Sequence, residues 1–390
     1  MSPKSSRKLK SKKQDNSSLI PVFRPSITEA EIEAVAQVMR SGWLGLGAVT
    51  EQFENELADY FNVKHVVALN SGTAALHLAL LLLDLKPDDE VIVPTISFVS
   101  TAHVVRYCGA RIVFADVDEE TLCIHVDDVR RKINAHTKAI IPVHYGGHPC
   151  DMDGLRDAVG GRSVTIIEDA AHACGAAYKD QWIGGLSPLT CFSFHAVKNL
   201  TCGEGGAVLT NQAAWARKLR EMRWMGISKD TYARSARDRV YAWQYWVNEL
   251  GYKYHMHDIS AAIGIEQLKR LEENNRKRRR IVEHYNEAFS AVSWIETPPE
   301  REEARSAWHI YHIKVPERDR LIAHLKRRRI APGVHYYPLH MHPYYADMKA
   351  QCPIAEEIWK RVLSLPMYPD MTDEELNRVI DAVLAFGESI

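Results

Sequence analysis

Several features that would assign a protein to a class at once are missing from this chain. Its seven cysteines include no C-x-x-C pair, so we expect neither a disulfide framework nor a structural metal site, and we expect a reducing cytoplasm. The longest aliphatic run, residues 78–83, is far shorter than the roughly 20 residues of a membrane helix. Lys plus Arg number 49 against 50 Asp plus Glu, and this balance gives no overall field that would attract nucleic acid or a membrane.

The composition that is present suits a large folded core. Over 390 residues, 46% are hydrophobic and 25% are charged. Short β-rich runs alternate with helical stretches from about residue 66 to residue 209, which predicts an α/β fold with a mostly parallel sheet. A long helical segment then leads into strands and helices of an α+β type. We therefore expect a disordered basic tail over residues 1–20, a large domain over 21–257 and a small C-terminal domain over 258–390.

Two charged residues stand directly after apolar strands. Lys198 ends the run CFSFHAVK, and Asp169 follows the apolar stretch 164–167. Pyridoxal phosphate (PLP) chemistry requires a lysine that forms a Schiff base and an acid that keeps the ring nitrogen protonated. Ligands bind at the carboxyl ends of strands in open α/β sheets, so the pair predicts a PLP site. A single lysine in such a place is usually a solvated charge, and the prediction depends on the two residues together.

A glycine turn joins a strand to a helix at residues 70–76, NSGTAAL. The free N–H groups and the positive dipole end of that helix would face the strand end, which indicates a phosphate site. Ordinary N-capping by Ser71 or Thr73 is the common alternative, and the turn is neither a Walker loop nor a G-x-G-x-x-G fingerprint. Ser193 could add a hydroxyl to the same phosphate, and Phe98 could stack on a pyridine ring, although both also suit ordinary strand and core positions.

Several longer motifs resemble those of the DegT/DnrJ/EryC1/StrS aminotransferases, in the family's order, from about Pro21 to the C-terminus. They are SGT at 71–73, EDAAH at 168–172, FSFHAVKN at 192–199, GEGG at 203–206, GYKY at 251–254, HYYPLH at 335–340 and LPMY at 365–368. The stretches 192–196 and 251–254 most resemble the subgroup that makes 4-amino sugars such as UDP-4-amino-4-deoxy-arabinose.

The resemblance implies a fold-type I PLP enzyme with a seven-stranded type of sheet, acting as a homodimer whose active sites are shared between subunits. Such an enzyme moves an amino group from L-glutamate to a keto sugar linked to a nucleotide, and its cofactor passes through pyridoxamine phosphate. By the same resemblance, Lys198 forms the Schiff base and Asp169 pairs with the pyridine nitrogen. The other implied cofactor contacts are His172 near the ring hydroxyl, Phe98 on the ring face, and Gly72, Thr73 and Ser193 at the phosphate.

One position departs from the family pattern. Lys253 stands where the family usually has an asparagine that reaches the phosphate of the neighbouring subunit. A lysine can serve a phosphate as a point charge, so the contact can persist with a different donor geometry.

Other polar residues of the motifs are candidates for the substrate pocket. They are His195, His335, Tyr336 and His340. Surface histidines are the next interpretation, and a metal site is the least favoured, because no carboxylate stands at ligand spacing beside these histidines. For the carboxylate of the amino donor, Arg223 and Arg239 are candidates without a motif.

We therefore expect a PLP-dependent aminotransferase that makes a 4-amino sugar nucleotide for a surface glycan, such as lipopolysaccharide, or for a natural product. One alternative is a relative that aminates a 3-keto sugar or a cyclitol. Another is a non-catalytic PLP-fold protein that binds a sugar nucleotide, and intact Lys198 and Asp169 argue against it. A related group carries histidine in place of the Schiff-base lysine and removes a sugar hydroxyl, which Lys198 also argues against.

Overall fold

A computed structural model describes residues 18–228 and 245–387. At its centre is a seven-stranded sheet with the order β1-β9-β8-β5-β4-β2-β3. Its strands are β1 (His65–Leu69), β2 (Glu90–Pro94), β3 (Arg111–Ala115), β4 (Thr137–Ile140), β5 (Thr165–Asp169), β8 (Leu189–Ser193) and β9 (Gly206–Thr210). Strand β9 is antiparallel to both of its neighbours, and the other pairs are parallel. The predicted α/β fold with a mostly parallel sheet is thereby confirmed.

Helices alternate with the strands along the first part of the chain. They are α1 (Glu29–Ser41), α2 (Ala48–Phe61), α3 (Gly72–Leu81), α4 (Ser100–Tyr107), α5 (Val126–Lys132), α6 (Met152–Val159) and α7 (Ala213–Met222). Most strand residues of the sheet are buried, as expected of a sheet that is covered on both faces. A small hairpin of β6 (Ala177–Tyr178) and β7 (Gln181–Trp182) pairs with β10 (Ala304–Arg305).

The C-terminal part begins with two helices in near succession. The elements are α8 (Asp258–Lys269), α9 (Leu271–Phe289), β11 (Tyr311–Lys314), α10 (Arg318–Arg327), α11 (Pro353–Ile358), β12 (Val362–Leu365) and α12 (Asp373–Gly387). The sequence pattern predicts one helix over residues 355–363, but α11 ends at Ile358. The residues that follow pair with β11 as the antiparallel strand β12, which buries Val362 and Leu363.

The described residues form two hydrophobic cores. The first surrounds the seven-stranded sheet, and the second lies between α9, α10, α12, β11 and β12. Helix α8 packs against α1 and α2 and contributes to the first core. At Gly264 the approach of α8 to α2 is so close that a Cβ atom would lie 2.6 Å from the ring of Phe53. The domain boundary near residue 258 stays a prediction, since α8 packs with the part of the chain that precedes it.

No helix within residues 18–228 and 245–387 has the length and apolar character of a membrane-crossing segment.

Candidate active site

A cavity of about 530 Å³ opens where several strands of the central sheet end. Strands β1, β2, β5 and β8 all run in the same direction, so the residues that follow them meet at one edge of the sheet. The cavity is lined there by Gly72 after β1, Phe98 after β2, Asp169 at the end of β5 and Lys198 after β8. The carboxyl ends of the strands therefore form the site, as expected for an open α/β sheet.

Asp169 is the best-supported acid of the cavity. The residue is 4% exposed, and its carboxylate accepts hydrogen bonds from the Thr101 hydroxyl at 2.8 Å and from the Ala171 N–H at 3.2 Å. The Thr101 hydroxyl lies 2.7 Å from that of Ser97, so a short chain of hydroxyls leads to the acid. Burial raises the pKa of Asp169, while the two hydrogen bonds and the nearby charge of Lys198 oppose that rise. The ionised form of such a carboxylate is stabilised most by a partner that donates a hydrogen bond to it or carries a positive charge.

Lys198 lies in a turn after β8, where its N–H donates to the His195 carbonyl at 2.9 Å. Burial lowers the pKa of its ammonium to about 8, and the charge of Asp169 acts in the opposite direction. A lysine with this pKa has a substantial unprotonated fraction near neutral pH. That fraction is the form that attacks a carbonyl carbon.

The N-terminus of α3 presents an anion site to the same cavity. Ser71 caps the helix, with its hydroxyl accepting from the Ala74 N–H at 3.1 Å, so the capping role considered from the sequence is present. The N–H groups of Gly72 and Thr73, in the open first turn, are left without an acceptor in the described part of the chain. A Cβ atom on Gly72 would lie 2.8 Å from the Cβ of Ser193, so only glycine lets the helix approach β8 this closely.

A buried histidine completes this part of the wall. His172 is buried, its Nε2 lies 3.3 Å from the Tyr336 hydroxyl, and its Nδ1 has no hydrogen-bond partner within the described ranges. Burial holds the pKa of His172 well below its usual value, and the charges of Lys198 and His335 add to this. Burial likewise lowers the pKa of His335 to about 4. Both imidazoles are therefore neutral near pH 7, and each has one nitrogen that donates a hydrogen bond and one that accepts.

These residues fit pyridoxal phosphate. The open N–H groups of α3 suit a phosphate, Asp169 suits a protonated ring nitrogen, and the unpartnered Nδ1 of His172 suits a polar ring substituent. Lys198 supplies an amine with a lowered pKa in the same cavity.

Comparison with known proteins agrees with this geometry. The model of the DegT/DnrJ/EryC1/StrS aminotransferase family matches residues 25–384. The chain belongs to this family. It is 40% identical to the spore coat polysaccharide biosynthesis protein SpsC of Bacillus subtilis, over 95% of this chain and 97% of that protein.

Solved structures give the same answer for the fold and the cofactor. The PLP form of Spr1654 from Streptococcus pneumoniae is 31% identical, with a TM-score of 0.87 over 95% of this chain and 99% of that one. The sugar aminotransferase CalS13 from Micromonospora echinospora is 29% identical, with a TM-score of 0.87 over 94% and 100%. The chain is thus a PLP-dependent aminotransferase of fold-type I, and the predicted family, fold and cofactor are confirmed.

The aminotransferase brings most of its predicted site residues to the cavity. Those that line it are Gly72, Thr73, Phe98, Asp169, His172, Ser193, His195, Lys198, His335 and Tyr336. Phe98 is 57% exposed, and its ring centroid lies 6.3 Å from that of Tyr336. His195 lies at the rim, where its Nε2 is 3.8 Å from a carboxylate oxygen of Glu204.

Two predicted residues lie elsewhere. His340 does not line the cavity: its Nδ1 is 2.5 Å from the Thr95 hydroxyl, and its Nε2 is 3.2 Å from the Glu356 carboxylate. Both ring nitrogens are therefore occupied within the fold. Lys253 is also absent from the cavity of its own chain, and its Nζ lies 3.5 Å from the centre of the Trp224 ring. Its contact with a phosphate in a neighbouring subunit stays a prediction.

Of the two arginines that the sequence offered for the carboxylate of the amino donor, only Arg223 lies in the described part of the chain. Arg223 is buried away from the cavity, where it pairs with the Glu54 carboxylate and donates to the Ala68 carbonyl at 3.0 Å. These contacts assign it to the interior of the fold. Arg239 lies outside the described residues.

The described ranges contain no group of three His, Cys, Asp or Glu side chains placed to bind a metal ion. Sequence reasoning missed several residues of the lining, among them Phe23, Thr101, Glu204 and His309. Of these four, Glu204 had a signal, because it stands in the GEGG motif at 203–206.

Proposed function

We propose that this aminotransferase transfers the amino group of L-glutamate to carbon 4 of a keto sugar that is linked to a nucleotide. The product, a 4-amino sugar nucleotide, would supply the synthesis of a surface glycan or a natural product. The observation that carries this proposal is the convergence of Lys198, Asp169 and the N-terminus of α3 on one cavity.

The cofactor contacts follow from this geometry. We assign the phosphate to the N–H groups of Gly72 and Thr73 and to the Ser193 hydroxyl, and the ring nitrogen to Asp169. Phe98 and His172 take the ring face and the ring hydroxyl. When bound, PLP supplies an electron sink that stabilises negative charge at the α-carbon of the amino donor.

Lys198 has two tasks in this proposal. Through its Nζ it would hold the cofactor in the cavity, and its freed amine would carry the proton that leaves the donor α-carbon. The pKa of about 8 suits this work, because the amine both accepts and returns a proton near neutral pH. The donor would leave as oxoglutarate, with water supplying its keto oxygen, and the amino group would stay in the site. The keto sugar would then take up this amino group and release water. A ping-pong order of substrates follows.

The character of the cavity supports a sugar as the acceptor. Burial lowers the pKa of His172 and His335 and raises the pKa of Tyr336, so all three side chains are uncharged near pH 7. They can form hydrogen bonds with a ligand without placing a charge beside it. Hydroxyl-rich ligands suit such a wall. Two relatives also carry names that concern a spore coat polysaccharide and a sugar. The alternatives of a 3-keto sugar or a cyclitol differ in the position of the new amine.

We further propose a homodimer with shared active sites, working in the cytoplasm. Large aromatic and aliphatic side chains are exposed on the single chain at Tyr107, Trp246, Leu250 and Tyr344. A second copy of the chain that packs on these side chains would remove them from water, which supports the proposed dimer. The proposed location rests on the sequence, whose seven cysteines include no C-x-x-C pair.

The first test is the visible spectrum of the PLP-loaded protein before and after addition of L-glutamate alone. We expect the Schiff-base absorbance to bleach, and to return when a UDP- or dTDP-linked 4-keto sugar is added. Lys198→Ala is the control that removes the Schiff base. The position of the amine in the product, determined by NMR, separates carbon 4 from carbon 3. A yellow protein that glutamate never bleaches would refute the proposal.

Shared sites have their own test. Lys198→Ala and Lys253→Ala inactivate different parts of a shared site, so each variant alone should be weak or inactive. Unfolding and refolding them together should create hybrid dimers with one intact site, and activity should return. Mixtures no more active than the separate variants would refute the shared site.

A further inference from the structure

His309, just before β11, lies at the cavity wall and has no role in the proposal above. Two other rings lie close to its ring. The Phe23 ring is stacked with it, with the centroids 5.2 Å apart and the planes at 10°, and the centroid of the His172 ring lies 4.6 Å away with the planes at 33°. Only 2% of the residue is exposed, so what His309 offers the cavity depends on which ring nitrogen is left without a partner.

One edge is held by Asn199, the residue after Lys198. The Oδ1 of Asn199 lies 3.1 Å from the Nδ1 of His309. The orientation of this amide is fixed, because its Nδ2 donates to the Ala307 carbonyl at 2.7 Å, and a carbonyl oxygen only accepts. The oxygen that faces His309 also only accepts, so the Nδ1 of His309 carries the proton.

A second amide confirms this assignment. The Nδ2 of Asn275 donates to the Cys174 carbonyl at 3.0 Å, which turns its Oδ1 towards Asn199. That oxygen accepts the second hydrogen of Asn199 Nδ2 at 2.8 Å. Two backbone carbonyls thus fix two amides in sequence, and the amides fix the tautomer of His309.

The other nitrogen of the ring is therefore unprotonated. Burial, with the charges of Lys198 and His172 adding to it, keeps the pKa of His309 well below its usual value, so the ring is neutral. A neutral imidazole with its proton on Nδ1 has a lone pair on Nε2. Within the described ranges the hydrogen bond of the His309 side chain is made by Nδ1, and Nε2 is not among the fully buried atoms without a partner, which leaves Nε2 as the polar atom of His309 that is available to a ligand.

We propose that His309 is a specificity-determining residue whose Nε2 accepts a hydrogen bond from a hydroxyl group of the keto sugar. This inference rests on the proposed function. In a ping-pong reaction both substrates use one cavity, and they differ in what they donate. Glutamate has two carboxylates, which only accept hydrogen bonds, and its one donor is the amino group that is transferred. The sugar has hydroxyl groups that donate hydrogen bonds. A ring nitrogen that only accepts hydrogen bonds therefore favours the sugar over glutamate.

The variant His309→Phe tests this by keeping an aromatic ring beside Phe23 and His172 while removing both nitrogens. The two half-reactions are measured separately by the absorbance of the bound cofactor, with L-glutamate in one direction and a UDP-linked 4-keto sugar in the other. We expect kcat/KM for the sugar to fall about tenfold further than kcat/KM for glutamate, the size of one hydrogen bond that is lost in a buried site. An equal fall in both half-reactions would indicate a structural role and overturn the inference.

Sugar analogues keep the test decisive even where His309→Phe folds poorly. The wild-type enzyme is assayed with UDP-linked 4-keto sugars that lack one hydroxyl at a time. One analogue should lose about tenfold in kcat/KM, and the same analogue should lose little in His309→Phe, because the partner is already gone. A wild-type enzyme that tolerates the loss of every hydroxyl overturns the inference alone. A wild-type enzyme that aminates no keto sugar overturns the proposed function, and this inference falls with it.

Discussion

Removing the Thr101 hydroxyl is the sharpest test of how the cavity holds its acid. Thr101 is buried, and its hydroxyl donates to Asp169 at 2.8 Å. The substitution Thr101→Val keeps the shape of the side chain and deletes this donor. Thr101→Ser keeps the hydroxyl and is the matched control.

The expected magnitude follows from the ionised state of Asp169. A hydrogen bond to a charged group contributes about 1.5–3 kcal/mol. Its loss favours the protonated form and raises the pKa of Asp169 beyond the rise that burial already causes. Weaker support for the cofactor's ring nitrogen should lower kcat by about tenfold, while Thr101→Ser stays within about threefold of the wild type.

The pH dependence has a definite sign. The pKa of Asp169 is raised in the folded state, so the folded protein holds its proton more strongly than the unfolded chain does. The destabilisation from this residue is absent below the ordinary aspartate pKa of about 4 and grows as pH rises through the folded pKa. Since Thr101→Val raises that pKa further, its loss of stability relative to the wild type should be larger at pH 8 than at pH 5.

Urea unfolding of the cofactor-free protein at pH 5 and pH 8 measures this difference directly, and steady-state kinetics of the PLP-loaded enzyme measures kcat. Thr101→Ser should show little pH dependence relative to the wild type. A Thr101→Val variant with the same loss of stability at both pH values would mean that Thr101 acts by packing alone, and the reasoning about Asp169 would be wrong.

Three further predictions concern other parts of the site. Lys198→Met should stabilise the cofactor-free protein by about 1–3 kcal/mol at pH 7, because folding lowers the lysine pKa from 10.5 to about 8. The gain should vanish above pH 10.5, and unfolding measurements across this pH range check it. Gly72→Ala should weaken PLP binding by about tenfold or more in a fluorescence titration, since the new Cβ meets the end of β8, whereas Gly45→Ala, with open space around its Cβ, should bind normally. Arg223→Ala should lower the free energy of unfolding by about 3 kcal/mol because Glu54 loses its buried partner, with less than about a twofold change in KM for glutamate; a large KM effect with normal stability would contradict this assignment.

Several predicted site residues that line the cavity share one property. Gly72, Asp169, Ser193 and Lys198 all stand at or just after the end of a strand, so an alternating pattern of strands and helices is enough to place them at one edge of the sheet. No knowledge of side-chain packing is needed. The same pattern gives the order of elements but is weaker at their ends, as the early end of α11 at Ile358 demonstrates.

The residues that were missed depend on contacts between distant segments. Thr101 reaches Asp169 across 68 positions, and His309 reaches Asn199 across 110. Neither distance leaves a local signal in one sequence. His340 illustrates the opposite error, since its motif is local and recognisable, yet Thr95 and Glu356 occupy both of its ring nitrogens. The position of a motif in the sequence does not determine which way each side chain turns.

The perturbed groups of the cavity have a common cause, and it bears on the cofactor. Burial lowers the pKa of Lys198 and raises that of Asp169, so each charge is less stable here than in water. The open N–H groups at the start of α3 add a positive field without a side-chain charge. In the proposed assignment, a ligand that brings a phosphate to α3 and a protonated ring nitrogen to Asp169 would supply the missing opposite charges, and Lys198 would hold it through its amine. The groups whose charges burial destabilises would therefore be the ones that hold the cofactor.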